Sequence, residues 1–157
     1  MIYTDLTKKA LKLCFEKHKE QVDKTGMPYV FHPFHLAEQM DDETSTVCAL
    51  LHDVVEDSDI TFENLLDMGF PKEVINVLKL LTHEDSVPYM DYVSKISTNS
   101  VAKKVKIADL THNSDITAIR NNMISITPVT YDMTRRNFRE DIQQKLCRDA
   151  FCDWFND

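Results

Sequence analysis

The stretch Val47-Cys48-Ala49-Leu50-Leu51-His52-Asp53-Val54-Val55 is apolar nearly throughout, and its one polar interruption is His52-Asp53. A bare His-Asp dipeptide carries no weight, because six His and 17 Asp in 157 residues give about 0.65 such pairs on shuffling. Its placement does. An unpaired buried carboxylate costs several kcal/mol, so something must compensate the charge of Asp53. A divalent cation is the compact answer, since imidazole and carboxylate together suit manganese, iron, zinc or nickel. Neighbouring residues on a helix diverge by about 100°, so other segments must close the far side of such an ion. Two candidates offer further ligands: His32, in Pro28-Tyr29-Val30-Phe31-His32-Pro33, and Asp109, a second polar break on an apolar helix face. Glu56 is i+4 from His52 and Asp57 is i+4 from Asp53. Both carboxyls thus fall one turn beyond the ion, where water would be held and activated. The chemistry implied is metal-assisted hydrolysis.

Helices must position these groups. Leu6, Ala10, Leu13 and Cys14 recur at helical spacing between Thr4 and about Glu20, before Gly26 and Pro28 break the pattern. A short helix is expected to carry Phe34, Leu36, Ala37 and Met40. A second is expected after Asp41-Asp42, running through Val55 as the buried centre of a bundle. Thr61 can cap a helix bearing Leu65 and Leu66 that Gly69 ends, and Pro71 opens one with Val74, Val77, Leu78 and Leu81 on a stripe. Residues 83 to 88 read as a loop, after which Asn99 or Ser100 caps a helix with Val101, Val105 and Ala108 inward. Phe138, Ile142, Leu146, Ala150 and Trp154 fall four apart, as in a long terminal helix. The expectation is an all-α fold, a single domain over 1–157, organised as a compact helical bundle.

Composition agrees. Hydrophobic residues are 43% and charged residues 28% of the chain, which excludes disorder. Two glycines, where average usage is roughly 7%, cannot supply the turns of a sandwich or barrel. A net charge of −8 argues against a nucleic-acid polymer as partner. No apolar run nears membrane-spanning length, and no signal peptide or C-x-x-C pair is present, so a reducing, cytoplasmic setting with no membrane partner is expected. Nothing in the pattern sets an oligomeric state.

Three motifs in order, Lys24-Thr25-Gly26-Met27-Pro28-Tyr29-x-x-His32-Pro33, Ala49 to Asp57, and Val105-Lys106-Ile107-Ala108-Asp109-x-x-His112-Asn113, resemble the hydrolase domain of RelA/SpoT-type alarmone enzymes. The likeness is greatest to their small stand-alone members within the HD metal-dependent phosphohydrolases, and it runs from about residue 6 to 120. It implies a helical HD-type fold and a manganese ion held by His32, His52, Asp53 and Asp109. It further implies water activation by Glu56 and Asp57, and substrate contacts from Lys24, Tyr29 and Asn113. The reaction implied is removal of pyrophosphate from the 3′ position of guanosine tetra- or pentaphosphate, written (p)ppGpp. Two other readings stand beside it: a phosphatase acting on another nucleotide, such as NADPH or a nucleoside phosphate, and a nucleotide-binding regulator that has lost turnover.

The sequence departs from that family around the nucleotide. Asp23 stands where the family has an arginine against the purine, Leu110-Thr111 follow Asp109 where a basic residue is usual, and Ile116 replaces a common threonine. Lys106 is a candidate for phosphate contact, whereas Lys103 and Lys104 read as a solvated face. Of the remaining histidines, His35 reads as peripheral to the site or as surface, His18 as solvated, His83 as a helix end, and His112 as a support one turn from Asp109. Arg135, Arg136 and Arg139 read as surface.

Overall fold

A computed structural model of the chain describes residues 1–24, 26–84 and 86–120. The terminal helix expected around Phe138 and Trp154, the Arg135, Arg136 and Arg139 group, and the Ile116 side chain lie outside the described residues. The described part is helical: α1 Asp5–His18, α2 Phe31–Glu38, α3 Glu43–Leu51, α4 Val54–Asp57, α5 Phe62–Asp67, α6 Lys72–Leu81, α7 Tyr89–Ser97 and α8 Ser100–Arg120. None of these helices is long and apolar enough to cross a membrane.

The helix starts follow the capping chemistry. Thr4 caps α1 and Thr61 caps α5, each in a reciprocal box with the residue three further on. Asp42 caps α3 by accepting the Ser45 N–H at 2.8 Å. Asn99, rather than Ser100, caps α8, its Oδ1 accepting the Ala102 N–H at 2.9 Å. Gly69 ends α5 at φ 82°, a left-handed conformation that disfavours side chains.

The expected central helix is the centre of the bundle. α3 packs against α1, α2, α6 and α8, and all its residues from Ser45 to Leu51 are buried. Ser45 and Thr46 are tolerated there because both hydroxyls reach Asp42. The helix does not run unbroken to Val55, however. It ends at Leu51, and α4 restarts at Val54 after Asp53, whose φ of −95° and ψ of −10° leave the helical well toward the bridge region. His52 Nδ1 lies 2.9 Å from the Ala49 carbonyl. That is the carbonyl a continuing helix would give to the Asp53 N–H, so the side chain competes with the ladder where it breaks.

Residues 89–97, unassigned from the sequence, form α7. Tyr89, Tyr92, Val93 and Ile96 follow the i, i+3, i+4, i+7 pattern of a helix packed on one face. Pro88 at its N-cap supplies a start. The signal was present but short.

Candidate functional site

Three segments converge beside the break in α3. His32 from α2, His52 from the break and Asp109 from α8 are all buried, and one ligand-type atom from each lies within 4.8 Å of the others. His32 Nε2 is 3.3 Å from Asp109 Oδ1. Asp53 stands beside this trio, its Oδ2 2.9 Å from His52 Nε2 and 3.7 Å from His32 Nε2. Ligand atoms each ~2.1 Å from one ion sit roughly 3 to 3.5 Å apart at neighbouring vertices. The observed separations bracket that range.

Proton placement supports the same fit. His52 gives Nδ1–H to the Ala49 carbonyl, which turns Nε2 toward the centre, where it can hold a proton or, once that is lost, a cation. That Nε2 is buried and near Asp53 without being aligned to it, so it has no hydrogen-bond partner among the described residues. An orphaned buried nitrogen aimed into a cluster of carboxylates is what a cation-binding centre requires of its ligand. His32 is arranged alike: its Nδ1 meets His112 Nδ1 at 2.7 Å, and its Nε2 points inward. The donor set therefore fits a divalent metal.

Neighbours hold the carboxylates. Asp109 accepts from Asn113 Nδ2 at 2.6 Å on Oδ1 and from Lys106 Nζ at 2.8 Å on Oδ2. The Tyr29 hydroxyl donates to Asp53 Oδ2. Tyr29, Lys106 and Asn113, expected to meet substrate, are thus engaged with the proposed ligands. His112 supports His32, as expected, and the exposed His35 stacks on His112 with ring centroids 4.5 Å apart.

Burial and charge compete here, and charge wins. Burial disfavours the His52 imidazolium, but the Asp53 and Asp109 carboxylates outweigh it and bring His52 up to about 9. Burial likewise opposes the Asp53 carboxylate, and His52 with the Tyr29 hydroxyl brings it down to about 2. Asp109 is held below its ordinary range despite burial by His32 and Lys106. Lys106 is raised despite burial by Asp109.

A cleft of about 90 Å³ opens on this centre, its lining shared by the charged groups His52, Asp53, Glu56, Lys106 and Asp109 and the rings of His83, Tyr89 and Tyr92. It lies far below the ~300 Å³ of a pocket that encloses a whole small ligand, so it admits the reacting end of one. Glu56 accepts the His83 N–H at 2.8 Å. Burial raises its pKa against that bond, and Asp53 adds to the rise. Burial and Asp53 also raise Asp57. Asp57 does not line the cleft, although α4 keeps it one turn beyond Asp53, its N–H donating to the Asp53 carbonyl at 2.8 Å.

Other expected residues lie away from the cleft or deeper than the sequence suggests. Lys24 is exposed on the loop between α1 and α2 and is not part of the cleft lining. Asp23 is committed within that loop, where its Oδ1 accepts the Met27 N–H at 3.1 Å and its backbone N–H bonds the Met27 carbonyl. His18 is wholly buried rather than solvated. It lies on the inward stripe Thr7, Ala10, Cys14, His18 of α1. His83 does follow α6, and it is also a cleft residue, which was missed along with Tyr89 and Tyr92. His83 packs on Tyr92 with centroids 4.7 Å apart, and Lys106 Nζ lies 5.8 Å over the Tyr92 ring. Burial pushes the Tyr92 phenol up to about 12, so it stays protonated and donates to the Leu81 carbonyl.

Buried imidazoles and carboxylates gathered between α2, the α3 break and α8, among described residues that are helical, are the arrangement that the resemblance to HD-type hydrolases implies. No family model matches the chain. It is 36% identical over 85 residues to guanosine-3′,5′-bis(diphosphate) 3′-pyrophosphohydrolase of Aquifex aeolicus, covering 52% of this chain and 12% of that protein. It is 33% identical over 117 residues to guanosine-3′,5′-bis(diphosphate) 3′-pyrophosphohydrolase MESH1 of Xenopus tropicalis, covering 66% of this chain and 65% of that protein. The chain thus spans less than two thirds of either relative's length. A solved structure of a metazoan SpoT orthologue that hydrolyses ppGpp superposes with a TM-score of 0.66 at 25% identity, over 94% of this chain and 86% of that one. The chain is thus similar in sequence to ppGpp 3′-pyrophosphohydrolases and in fold to a metazoan SpoT orthologue.

Proposed function

We propose that the chain is a metal-dependent phosphohydrolase that removes pyrophosphate from the 3′ position of (p)ppGpp. The observation that carries this reading is the buried His52 Nε2, left without a hydrogen-bond partner beside His32 and Asp109 at the floor of a cleft that Glu56 also lines. His32, His52, Asp53 and Asp109 would hold the ion, manganese by likeness to the family. A divalent ion there supplies Lewis-acid polarisation of a phosphoryl oxygen and lowers the pKa of water. Tyr29, Lys106 and Asn113 keep the two ligand carboxylates ionised and oriented.

Glu56 acts as the base. Its raised pKa brings it toward neutrality, where proton transfer is most effective, and the His83 N–H fixes one of its oxygens. Water adds to the phosphorus on the 3′ oxygen as its proton passes to Glu56, the bond between that phosphorus and the 3′ oxygen breaks, and Glu56 returns the proton to the 3′ oxygen, so that pyrophosphate leaves and the 3′ hydroxyl is regenerated. Asp57, outside the cleft lining, supports this electrostatically. Lys106, beside Asp109, meets a phosphate oxygen, and exposed Lys24 meets the outer phosphates.

The test is release of phosphate or pyrophosphate, with manganese added, from a panel of guanosine tetraphosphate, NADPH and nucleoside mono- and diphosphates. Pyrophosphate release from guanosine tetraphosphate, lost in Glu56→Gln, is expected. Phosphate release from NADPH alone would move the substrate assignment. Tight binding without turnover, unchanged in Glu56→Gln, would make the chain a nucleotide-binding regulator. Elemental analysis of wild type beside Asp53→Ala tests the metal, and equal occupancy in both would remove Asp53 from the ligand set.

A further inference from the structure

His18 is buried at 0% exposure at the end of α1, a costly place for a polar ring that touches neither the proposed ion nor the cleft. Its Nδ1 lies 2.5 Å from Gln21 Oε1, which places the proton on Nδ1, and its Nε2 has no hydrogen-bond partner among the described residues. The ring packs against Tyr29 with centroids 5.2 Å apart. Tyr29 in turn packs against His32 at 5.5 Å and donates its hydroxyl to Asp53 Oδ2. Gln21 also holds Tyr29 by the backbone, its carbonyl accepting the Tyr29 N–H at 2.9 Å. Side chain and main chain of the same short segment therefore converge on one tyrosine.

We propose that His18 and Gln21 are positioning residues for the metal centre, acting through Tyr29 on Asp53. A tyrosine at the foot of an exposed loop has two side-chain torsions to fix before its hydroxyl can hold a carboxylate oxygen. The His18 ring fixes one face of the phenol, Gln21 locks the His18 ring, and the Gln21 carbonyl sets where the Tyr29 backbone enters. Groups that orient ligands from behind change metal affinity by about 10- to 100-fold when removed. The inference rests on the metal-centre reading above.

Calorimetric manganese titration of the full chain tests it as a double-mutant cycle. His18→Ala is expected to weaken manganese binding about tenfold in the wild-type background and to leave it unchanged in a Tyr29→Phe background, where no hydroxyl remains to position. His18→Phe, which keeps a ring against Tyr29, should restore most of the affinity. Equal losses in both backgrounds would overturn the route through Tyr29. A drop in Tm with manganese affinity intact would make His18 a packing residue only. Should His18→Ala not fold, Gln21→Met runs the same cycle, with a loss of about threefold expected in the wild-type background alone. A wild type that binds no manganese sinks the metal reading itself, whereas one that binds without coupling sinks only this inference.

Discussion

On the metal side of the cleft each ionisable group is held by a specific neighbour: His52 by the Ala49 carbonyl, His32 by His112, Asp53 by Tyr29, Asp109 by Lys106 and Asn113. Beside it His83, Tyr89 and Tyr92 pack on one another as rings, with the His83 ring meeting the Val87 carbonyl and the Tyr92 hydroxyl donating to the Leu81 carbonyl, while the His83 backbone N–H joins the two groups through Glu56. One side depends on the identity of each atom, the other on shape. Substitution should therefore abolish function on the first side and retune it on the second.

The largest break expected is Asp109→Ala. It takes from the trio its one carboxylate and strands Lys106, whose side chain is 19% exposed. Removing one member of a buried ion pair costs about 3–5 kcal/mol, and the partial exposure of Lys106 puts the loss at or below the low end. Turnover should fall at least about 10³-fold, with metal content falling in parallel. Metal retained at wild-type occupancy would show that the trio is not the binding site.

Glu56→Gln sharpens the contrast, because it should separate chemistry from stability. Turnover should drop about 10²- to 10⁴-fold with manganese content unchanged. Stability should move the other way. Burial raises the folded-state pKa of Glu56 above its unfolded value, so the ionised side chain opposes folding above the folded pKa, and that cost is gone below the ordinary carboxyl range. The Gln variant should have the higher Tm at neutral pH, with the advantage fading as acid protonates wild-type Glu56. An unchanged or lower Tm at neutral pH would mean that the His83 N–H compensates the buried charge fully.

On the aromatic side the effects should be smaller and of another kind. Tyr92→Phe removes the donor to the Leu81 carbonyl and should cost about 1–2 kcal/mol of stability while changing kcat little. Tyr89→Ala should raise KM for the nucleotide more than it lowers kcat, since a wall that shapes the cleft binds ground and transition states alike. A kcat loss on the scale of Glu56→Gln in either variant would erase the distinction between the two sides.

That distinction also explains what could be read in the sequence. His52, Asp53 and Asp109 stand out because polar residues in apolar helix faces are anomalies that demand partners, and the structure brings them together. Tyr92, Val93 and Ile96 are ordinary core types in a nine-residue helix, so α7 and its cleft face leave no anomaly to notice. His18 was misread for a related reason: at the last position of α1 it reads as a solvated end, although i+4 from Cys14 puts it on the buried stripe. The break at His52-Asp53 depends on which carbonyl a side chain takes, which periodicity does not register. The i+4 relation of Asp57 to Asp53 survives the break, because α4 restarts directly after Asp53.

The smallest effect expected is at Asp23, although its sequence position seemed the most telling departure from the family. A carboxylate where an arginine is usual predicts repulsion of a polyanionic nucleotide. In the structure Asp23 Oδ1 accepts the Met27 N–H, and the Asp23 carbonyl accepts the N–H of Gly26 at φ 86°. The side chain closes the turn that leads into Pro28 and Tyr29, which is work an arginine would not do. Asp23→Asn keeps an oxygen for the Met27 N–H while removing the charge, so it isolates electrostatics from loop geometry. At a partly exposed site a unit charge a few ångströms from a phosphate is worth at most about 1 kcal/mol. KM for guanosine tetraphosphate should therefore fall by no more than about fivefold, with kcat and Tm unchanged. Asp23→Arg gains charge but loses the turn, and it should lower Tm without improving on the Asn variant. If Asp23→Arg instead lowers KM well below Asp23→Asn, the loop is free to present residue 23 to the base, and the aromatic wall is not the only part of the site that sets specificity.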